Sequence, residues 1–272
     1  MSDAKQPKPS ARVNSQHSQE SPPKDIDLDQ LLKCALDSAS KGASELLKRF
    51  GGELNIRSKS SPEDHVTDAD LAAETIVRAE IARYRPEDSI TGEELDAKTS
   101  SKAKVRWSID PLDGTVNYTR GLPHFATSVG AASTETGEWL VGVVVAPKLG
   151  VTYFAKKGGG AWKTEAGQTK QIFGPPKNRT TRILATGFSY SAAHRAEQIE
   201  FLGAQIHNFV DVRRLGSAAL DACLVADGTV DAYYELHTKE YDWAAGLLIA
   251  EEAGQRVKRA SFEGDLIWVN AF

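Results

Sequence analysis

Asp110, Asp113, Gly114 and Thr115 stand close together in the run Trp107-Ser108-Ile109-Asp110-Pro111-Leu112-Asp113-Gly114-Thr115. The residues before them, 105–109, are largely apolar and read as a short strand. Pro111 fixes its own φ and biases Asp110 to an extended conformation, while Gly114 permits a tight approach after Asp113. The strand should therefore end in a turn carrying two carboxylates, one hydroxyl and bare backbone carbonyls. Hard divalent cations take that ligand set. Mg²⁺ in particular binds a few carboxylates and completes its sphere with water and phosphate. An Asp-Gly pair also marks an ordinary turn, so the remaining acids have to decide between chemistry and punctuation.

Residues 89–92 read as a strand running into Glu93 and Glu94, which allows Glu93 to reach the same cation. Asp68 and Asp70 open a helix over 69–84, with Thr67 or Asp68 as its N-cap; capping accounts for one of the two acids and leaves the other unexplained. Asp242 stands at the start of a helix that runs to Ala253-Gly254, where N-capping is the ordinary reading. Gly216-Ser217-Ala218-Ala219 opens a small-residue helix. Its free N–H groups suit a phosphate or a hydroxyl-rich ligand, and close packing on a sheet is compatible with that. Glu235 ends a strand over 229–235. Gly158-Gly159-Gly160 lacks the Lys-Ser/Thr and helix of a phosphate cradle and reads as a turn.

The elements that must position these residues follow from the pattern. An amphipathic helix spans 27–50 and stops at Gly51-Gly52, and a short strand follows at 53–57. After the Asp110 turn the chain is β-rich. Strands at 126–133 and 139–146 flank a hairpin at Glu135-Thr136-Gly137-Glu138, and another follows at 151–155. Residues 173–180, with Pro175-Pro176, link two halves. The second half alternates: strand 182–186, helix 192–202, strand 210–214, the Gly216 helix to Ala226, the Glu235 strand, the Asp242 helix, and closing strands at 256–258 and 266–269. The expected organisation is a tail over 1–24, an N-terminal α+β half over 25–174 carrying most of the acids, and a C-terminal α/β half over 175–272 carrying Glu235 and Asp242.

Composition narrows the partners. The 272 residues are 40% hydrophobic and 26% charged, ordinary for a globular protein. A net charge of -4 argues against a dominant nucleic-acid surface. No apolar run approaches membrane-spanning length, and the N-terminus lacks a signal peptide's apolar core, so a cytoplasmic location is expected. Met1 to Lys24 is Pro, Ser, Gln and Lys with almost nothing apolar, the composition of a disordered tail. Cys34 and Cys223 sit among apolar residues and read as buried free thiols.

Taken together, residues 59–70, Gly92-Glu93-Glu94, 107–115, Gly216 to Ala219, Glu235 and Asp242-Trp-Ala-Ala-Gly246 resemble, in order, the inositol monophosphatase family of Mg²⁺-dependent, lithium-sensitive phosphatases. The resemblance implies a layered αβαβα sandwich with the active site between its halves, a homodimer, and hydrolysis of inositol 1-phosphate or a related polyol phosphate. Histidinol phosphate, fructose 1,6-bisphosphate and 3′-phosphoadenosine nucleotides are rival substrates within the superfamily. A regulatory binding protein that kept the fold without the catalysis would have lost a ligand or Thr115, and none is lost. By the same resemblance Glu93, Asp110 and the Leu112 carbonyl hold one Mg²⁺. Asp110, Asp113 and Asp242 hold a second, and Glu93 touches a weaker third through water. Thr115, oriented by Asp70, positions and helps deprotonate the attacking water. The Gly114 and Thr115 amides meet the phosphate; Asp113, Ser217, Ala218 and Glu235 meet the alcohol; Lys59 lies in a mobile loop near the metals. Family members commonly carry a final helix where this chain ends at Phe272, and no membrane, nucleic-acid or protein partner is indicated. Two cations can clamp the attacking and leaving oxygens of an in-line displacement, which is what a phosphate monoester requires.

Overall fold

A computed structural model describes residues 26–52, 56–58, 65–262 and 264–272. The expected tail and Lys59 lie outside them. In chain order the elements are α1 (Leu28–Arg49), β1 (Ile56–Ser58), β2 (His65–Thr67), α2 (Asp68–Tyr84), β3 (Ser89–Gly92), β4 (Val105–Asp113), α3 (Thr115–Thr119), β5 (Ala126–Ser133), β6 (Trp139–Ala146), β7 (Val151–Lys156), β8 (Ala161–Glu165) and β9 (Gln168–Ile172). There follow β10 (Ile183–Thr186), α4 (Ala192–Gln205), β11 (Asp211–Arg213), α5 (Ala218–Ala226), β12 (Ala232–Leu236), α6 (Glu240–Glu252), β13 (Arg256–Lys258) and β14 (Leu266–Asn270).

Strands β3 to β9 form one sheet in sequence order, with β3 parallel to β4 and every later pair antiparallel. The second sheet has the order β11-β10-β12-β14-β13. Helices α1 and α2 cover one face of the large sheet through Leu31, Ala35, Val77 and Ile81, which meet Trp107, Ile109, Val129 and Val143. Helices α5 and α6 fill the space between the sheets, and the outer face of the small sheet takes Phe201 and Leu202 of α4 on Leu184 and Tyr234. The layers are thus α, β, α, β, α, as the resemblance implied.

The middle layer shows why sequence fixes depth. Helix α6 is buried continuously from Trp243 to Ala250, and a helix without a polar face belongs inside. Its small residues let two backbones close in. A Cβ on Gly246 would stand 2.9 Å from the Ala219 carbonyl oxygen, and one on Gly142 of β6 would stand 2.8 Å from the Ala245 carbonyl oxygen.

The structure corrects several local expectations. Strand β4 does not stop at Ile109. It runs on through Asp110 and Pro111 to Asp113, with a bulge that sets Asp110 opposite Ser128 and Asp113 opposite Ala126. Proline survives inside the sheet because the bulge interrupts the ladder there, and its carbonyl accepts the Thr127 hydroxyl at 2.9 Å. The hairpin of β8 and β9 was not expected. Its strands are mostly polar and half-exposed, and its signature is the Ala166-Gly167 turn, with φ of 51° and 74° at the two residues. The polar loop before α2 ends in a strand, β2, paired with β1.

Candidate active site

Three features of the fold deliver acids to one cleft. Parallel strands β3 and β4 run side by side until β3 ends, Gly92 opposite Ile109, so Glu93 leaves β3 as a neighbour of Asp110, which is still within β4. The β4 bulge then carries the chain to Asp113 and to Gly114, which has φ +95°. A side chain at Gly114 would meet the His124 and Gly216 carbonyl oxygens at 3.0 and 3.1 Å. Asp242 arrives from the first turn of α6. It is not the N-cap but the third helical residue, its carboxylate accepting the Lys239 N–H at 2.6 Å as the return half of a capping box.

The cleft encloses about 230 Å³ and is lined by Glu93, Asp113, Gly114, Ala218, Glu235 and Asp242 among others. Asp110 and Thr115 lie beneath this surface, 2% and 8% exposed. Asp70 divides its carboxylate between two jobs. One oxygen takes the Thr67 N–H at 2.9 Å and the Thr67 hydroxyl at 2.5 Å, completing the α2 cap; the other lies 3.2 Å from the Thr115 hydroxyl. That hydroxyl is also 3.1 Å from the Leu112 carbonyl oxygen.

The electrostatics are those of acids short of a cation. Burial, and then the charges of Glu93 and Asp113, push the Asp110 carboxyl well above the usual range, and burial with the Glu93 charge does the same for Asp242. Asp113 rises to about 6 through burial, although the Ser217 hydroxyl and the Ala219 and Ala218 amides pull it back. Those donors approach at 2.7, 2.7 and 3.2 Å. The start of α5 therefore holds an anion that the chain itself supplies, where the sequence suggested N–H groups free for a phosphate. Among the described residues no Lys or Arg pairs with Asp110, Asp113 or Asp242, and no three His, Cys, Asp or Glu side chains already stand in ligating geometry. The donor set fits a divalent cation on its chemistry: hard oxygen ligands, crowded and desolvated, whose mutual repulsion a cation would relieve.

The opposite wall is built by β12 and the residues after β10. Glu235 accepts the Tyr233 hydroxyl at 2.8 Å, and burial lifts its carboxyl to about 7. A Cβ on Gly187 would overlap that carboxylate, so the glycine makes room for it. Phe188, Ser189, Tyr190, Arg214 and His237 complete the wall. None of these was singled out as a site residue from the sequence, because Phe188 to Tyr190 and His237 read as ordinary loop and Arg214 as a strand end, and only the fold brings them to Glu235. Asn117 ties the halves together, its amide donating to the His124 and Leu215 carbonyls at 2.6 and 2.8 Å. Every expected site residue except Lys59 is thus at or directly under one cleft between the sheets.

Acids from β4, from the residue after β3 and from α6 thus face a polar pocket inside a five-layered α/β sandwich. Comparison with known proteins supplies the class. The profile of the inositol monophosphatase family matches residues 27–269. Inositol-1-monophosphatase SuhB of Mycobacterium tuberculosis is 42% identical over 211 residues, covering 76% of this chain and 72% of that protein. Nus factor SuhB of Vibrio cholerae is 36% identical over 226 residues, 82% of this chain and 83% of the relative. The crystal structure of extragenic suppressor protein suhB from Bartonella henselae superimposes with a TM-score of 0.79 at 29% identity, covering 88% of this chain and 93% of that one. The chain belongs to the inositol monophosphatase family, a family of phosphatases that is generally Mg²⁺-dependent.

Proposed function

We infer that the protein is a Mg²⁺-dependent phosphomonoesterase that hydrolyses inositol 1-phosphate, or a closely similar polyol phosphate, to the alcohol and phosphate. The observation that carries this reading is the gathering of Glu93, Asp110, Asp113 and Asp242 at one cleft, the three aspartates desolvated, opposite a wall bearing Glu235. Glu93, Asp110, Asp113, Asp242 and the Leu112 carbonyl would hold two Mg²⁺ ions, with a weaker third near Glu93. Bound there, Mg²⁺ supplies charge neutralisation for the phosphoryl group and acidifies water.

The chain's own residues do the rest. The Thr115 hydroxyl has Asp70 and the Leu112 carbonyl as acceptors; donating to Asp70, it can accept a hydrogen bond from the attacking water on its own oxygen and so orient it. Thr67 keeps the far oxygen of Asp70 supplied with donors, so Asp70 stays oriented as the acceptor. The Gly114 and Thr115 amides would bind phosphate oxygens. Glu235, its carboxyl raised to about 7, can accept from or donate to the hydroxyls of the leaving alcohol; Ala218 lines the same space, and Ser217 lies buried behind it with its hydroxyl on Asp113. Lys59 would belong to a loop that closes near the metals.

Lithium inhibition and a homodimer accompany this reading, and the free, buried Cys34 and Cys223 support a reducing, cytoplasmic setting. The relative named as a Nus factor raises a regulatory role; the complete set of acids with Thr115 and Asp70 supports catalysis in this chain. Phosphate release from inositol 1-phosphate, histidinol phosphate, fructose 1,6-bisphosphate and 3′-phosphoadenosine 5′-phosphate, each with Mg²⁺ and with EDTA, tests it. The expected result is Mg²⁺-dependent release with inositol 1-phosphate preferred. Metal-dependent release from none of the four would move the weight to the regulatory role.

A further inference from the structure

Helix α2 presents two acids one turn apart to the site. Asp70 serves Thr115; Glu74, four residues on, is fully buried and points at the segment that follows Glu93. One Glu74 oxygen accepts the Glu94 N–H at 2.7 Å, and the other accepts the Leu95 N–H at 3.3 Å. Arg78, another turn along, donates its Nε to Glu74 at 2.7 Å and brings its Nη2 to 2.6 Å from the same oxygen. The guanidinium then donates to the Leu95 and Asp96 carbonyls at 2.7 and 2.8 Å. Four backbone groups of residues 94–96 are thus gripped by one carboxylate and one guanidinium. Gly92 belongs to the same device, since a Cβ there would overlap the Glu74 carboxylate.

An ion pair that served only helix stability would need none of these backbone bonds, and an exposed pair at this spacing would be worth little. Here the pair is buried against a loop whose first acid faces the cleft. We propose that Glu74 and Arg78 act as one positioning unit that fixes the backbone on the far side of Glu93 and so sets the direction of the Glu93 carboxylate toward a divalent cation. The proposal rests on the reading of Glu93 as a metal ligand. It explains why the turn after β3 can be polar and still hold its shape: both backbone donors and both backbone acceptors are satisfied from α2. Partners that orient a ligand typically govern metal affinity by 10- to 100-fold when removed.

The test uses the full chain and Mg²⁺ itself. Calorimetric Mg²⁺ affinity and the melting temperature in EDTA are measured for wild type, Glu74→Gln, Arg78→Lys, Glu93→Gln and the Glu74→Gln/Glu93→Gln double variant. Glu74→Gln keeps the shape but loses the charge that holds Arg78; Arg78→Lys keeps the charge but loses the fork. Each is expected to weaken Mg²⁺ binding about tenfold, raising the Mg²⁺ concentration needed for half-maximal rate without changing KM for substrate at saturating Mg²⁺. In the Glu93→Gln background the Glu74 substitution is expected to add nothing, because the unit acts through Glu93. Wild-type affinity in Glu74→Gln, or the same tenfold loss persisting without Glu93, overturns the proposal. If Glu74→Gln does not fold, Arg78→Lys decides alone. Wild-type affinity in Glu93→Gln would instead remove the reading of Glu93 as a ligand, and the proposal with it.

Discussion

Glu80 and Asp110 are both nearly inaccessible carboxylates, 6% and 2% exposed, and they behave in opposite ways. Glu80, on the outer helical layer, has Arg83 at 2.5 Å and Lys41 at 2.6 Å, and these partners hold its carboxyl down at about 2. Asp110, near the end of β4, has the Leu112 amide at 3.0 Å and four further acids as electrostatic neighbours, and its carboxyl is pushed up. Asp113 stands between them, raised less because the start of α5 donates to it. The difference lies in where the compensating charge comes from. Glu80 has its own; Asp113 borrows part of one from a helix; Asp110 and Asp242 have no Lys or Arg partner among the described residues, and the proposed cation would supply theirs. A fold does not accumulate uncompensated buried acids without a use for them, and the contrast can be broken at either end.

The largest effects are expected at Asp110. Asp110→Asn should lower turnover by at least about 10³-fold, while the melting temperature in EDTA stays the same or rises, because a repelling charge has gone. Asp113→Asn should lose turnover as fully but gain less stability in EDTA than Asp110→Asn, because relief of its buried charge is offset by weaker hydrogen bonding from Ser217, Ala218 and Ala219. Rates with saturating Mg²⁺ and melting curves in EDTA separate the two. Equal stability changes in both variants would erase the distinction between an imported and a borrowed charge. A smaller loss, about 10²-fold in kcat, is expected for Thr115→Ala, with KM for substrate little changed, because the hydroxyl works on the water.

That contrast marks what the sequence could and could not reveal. Asp110, Asp113 and Glu93 were legible because Pro111, Gly114 and strand ends are local signals, whereas Asp242 reads locally as an N-cap and joined them only through the family resemblance. Even the dual service of Asp70 was foreshadowed by having one acid more than a cap requires. The bulge that carries β4 past Pro111 was not legible, because a proline inside a run argues for its end and only pairing with β5 overrides that. The occupant of the α5 N-terminus was invisible for another reason. Free N–H groups can be read from residues 216–219, but the anion they meet, Asp113, lies 104 residues from Ser217. The wall of Phe188, Tyr190, Arg214 and His237, and the Glu74–Arg78 grip on residues 94–96, are likewise products of tertiary contact. Layer order was implied by the resemblance alone; the unbroken apolar run of α6 says "inside" but not between which sheets.

Acidity offers a gentler probe of the same difference. Asp113 and Asp221 titrate near 6 and Glu235 near 7 in the folded chain, all raised chiefly by burial, against about 4 when unfolded. Between about pH 4 and 7 the native state therefore binds more protons than the unfolded one. Without metal, stability should be fullest near pH 4 and fall as pH rises through 6 to 7. Mg²⁺ would compete with the proton on Asp113, the proposed ligand among them, so its stabilisation should grow over the same interval. Melting temperatures at pH 5 and pH 7.5, with Mg²⁺ and with EDTA, should diverge by several degrees at the higher pH and converge at the lower. Parallel curves would mean that the cleft acids are not what the cation relieves.

The smallest effect belongs to the self-sufficient acid. Glu80→Gln removes a carboxylate whose partners are more than half exposed, with 54% of the Lys41 side chain and 61% of the Arg83 side chain accessible. Such pairs contribute under about 1 kcal/mol, so the melting temperature should fall by no more than about 3 °C. Because the Glu80 carboxyl is lowered, its contribution is present above about pH 4 and disappears as pH falls toward 2. The pH 5 to 7.5 interval that exposes the cleft acids should therefore leave the Glu80→Gln variant parallel to wild type, with and without Mg²⁺. A Mg²⁺ response altered by Glu80→Gln would show that the two populations of acids communicate. An unaltered one leaves the import of a cation as a property of the cleft alone.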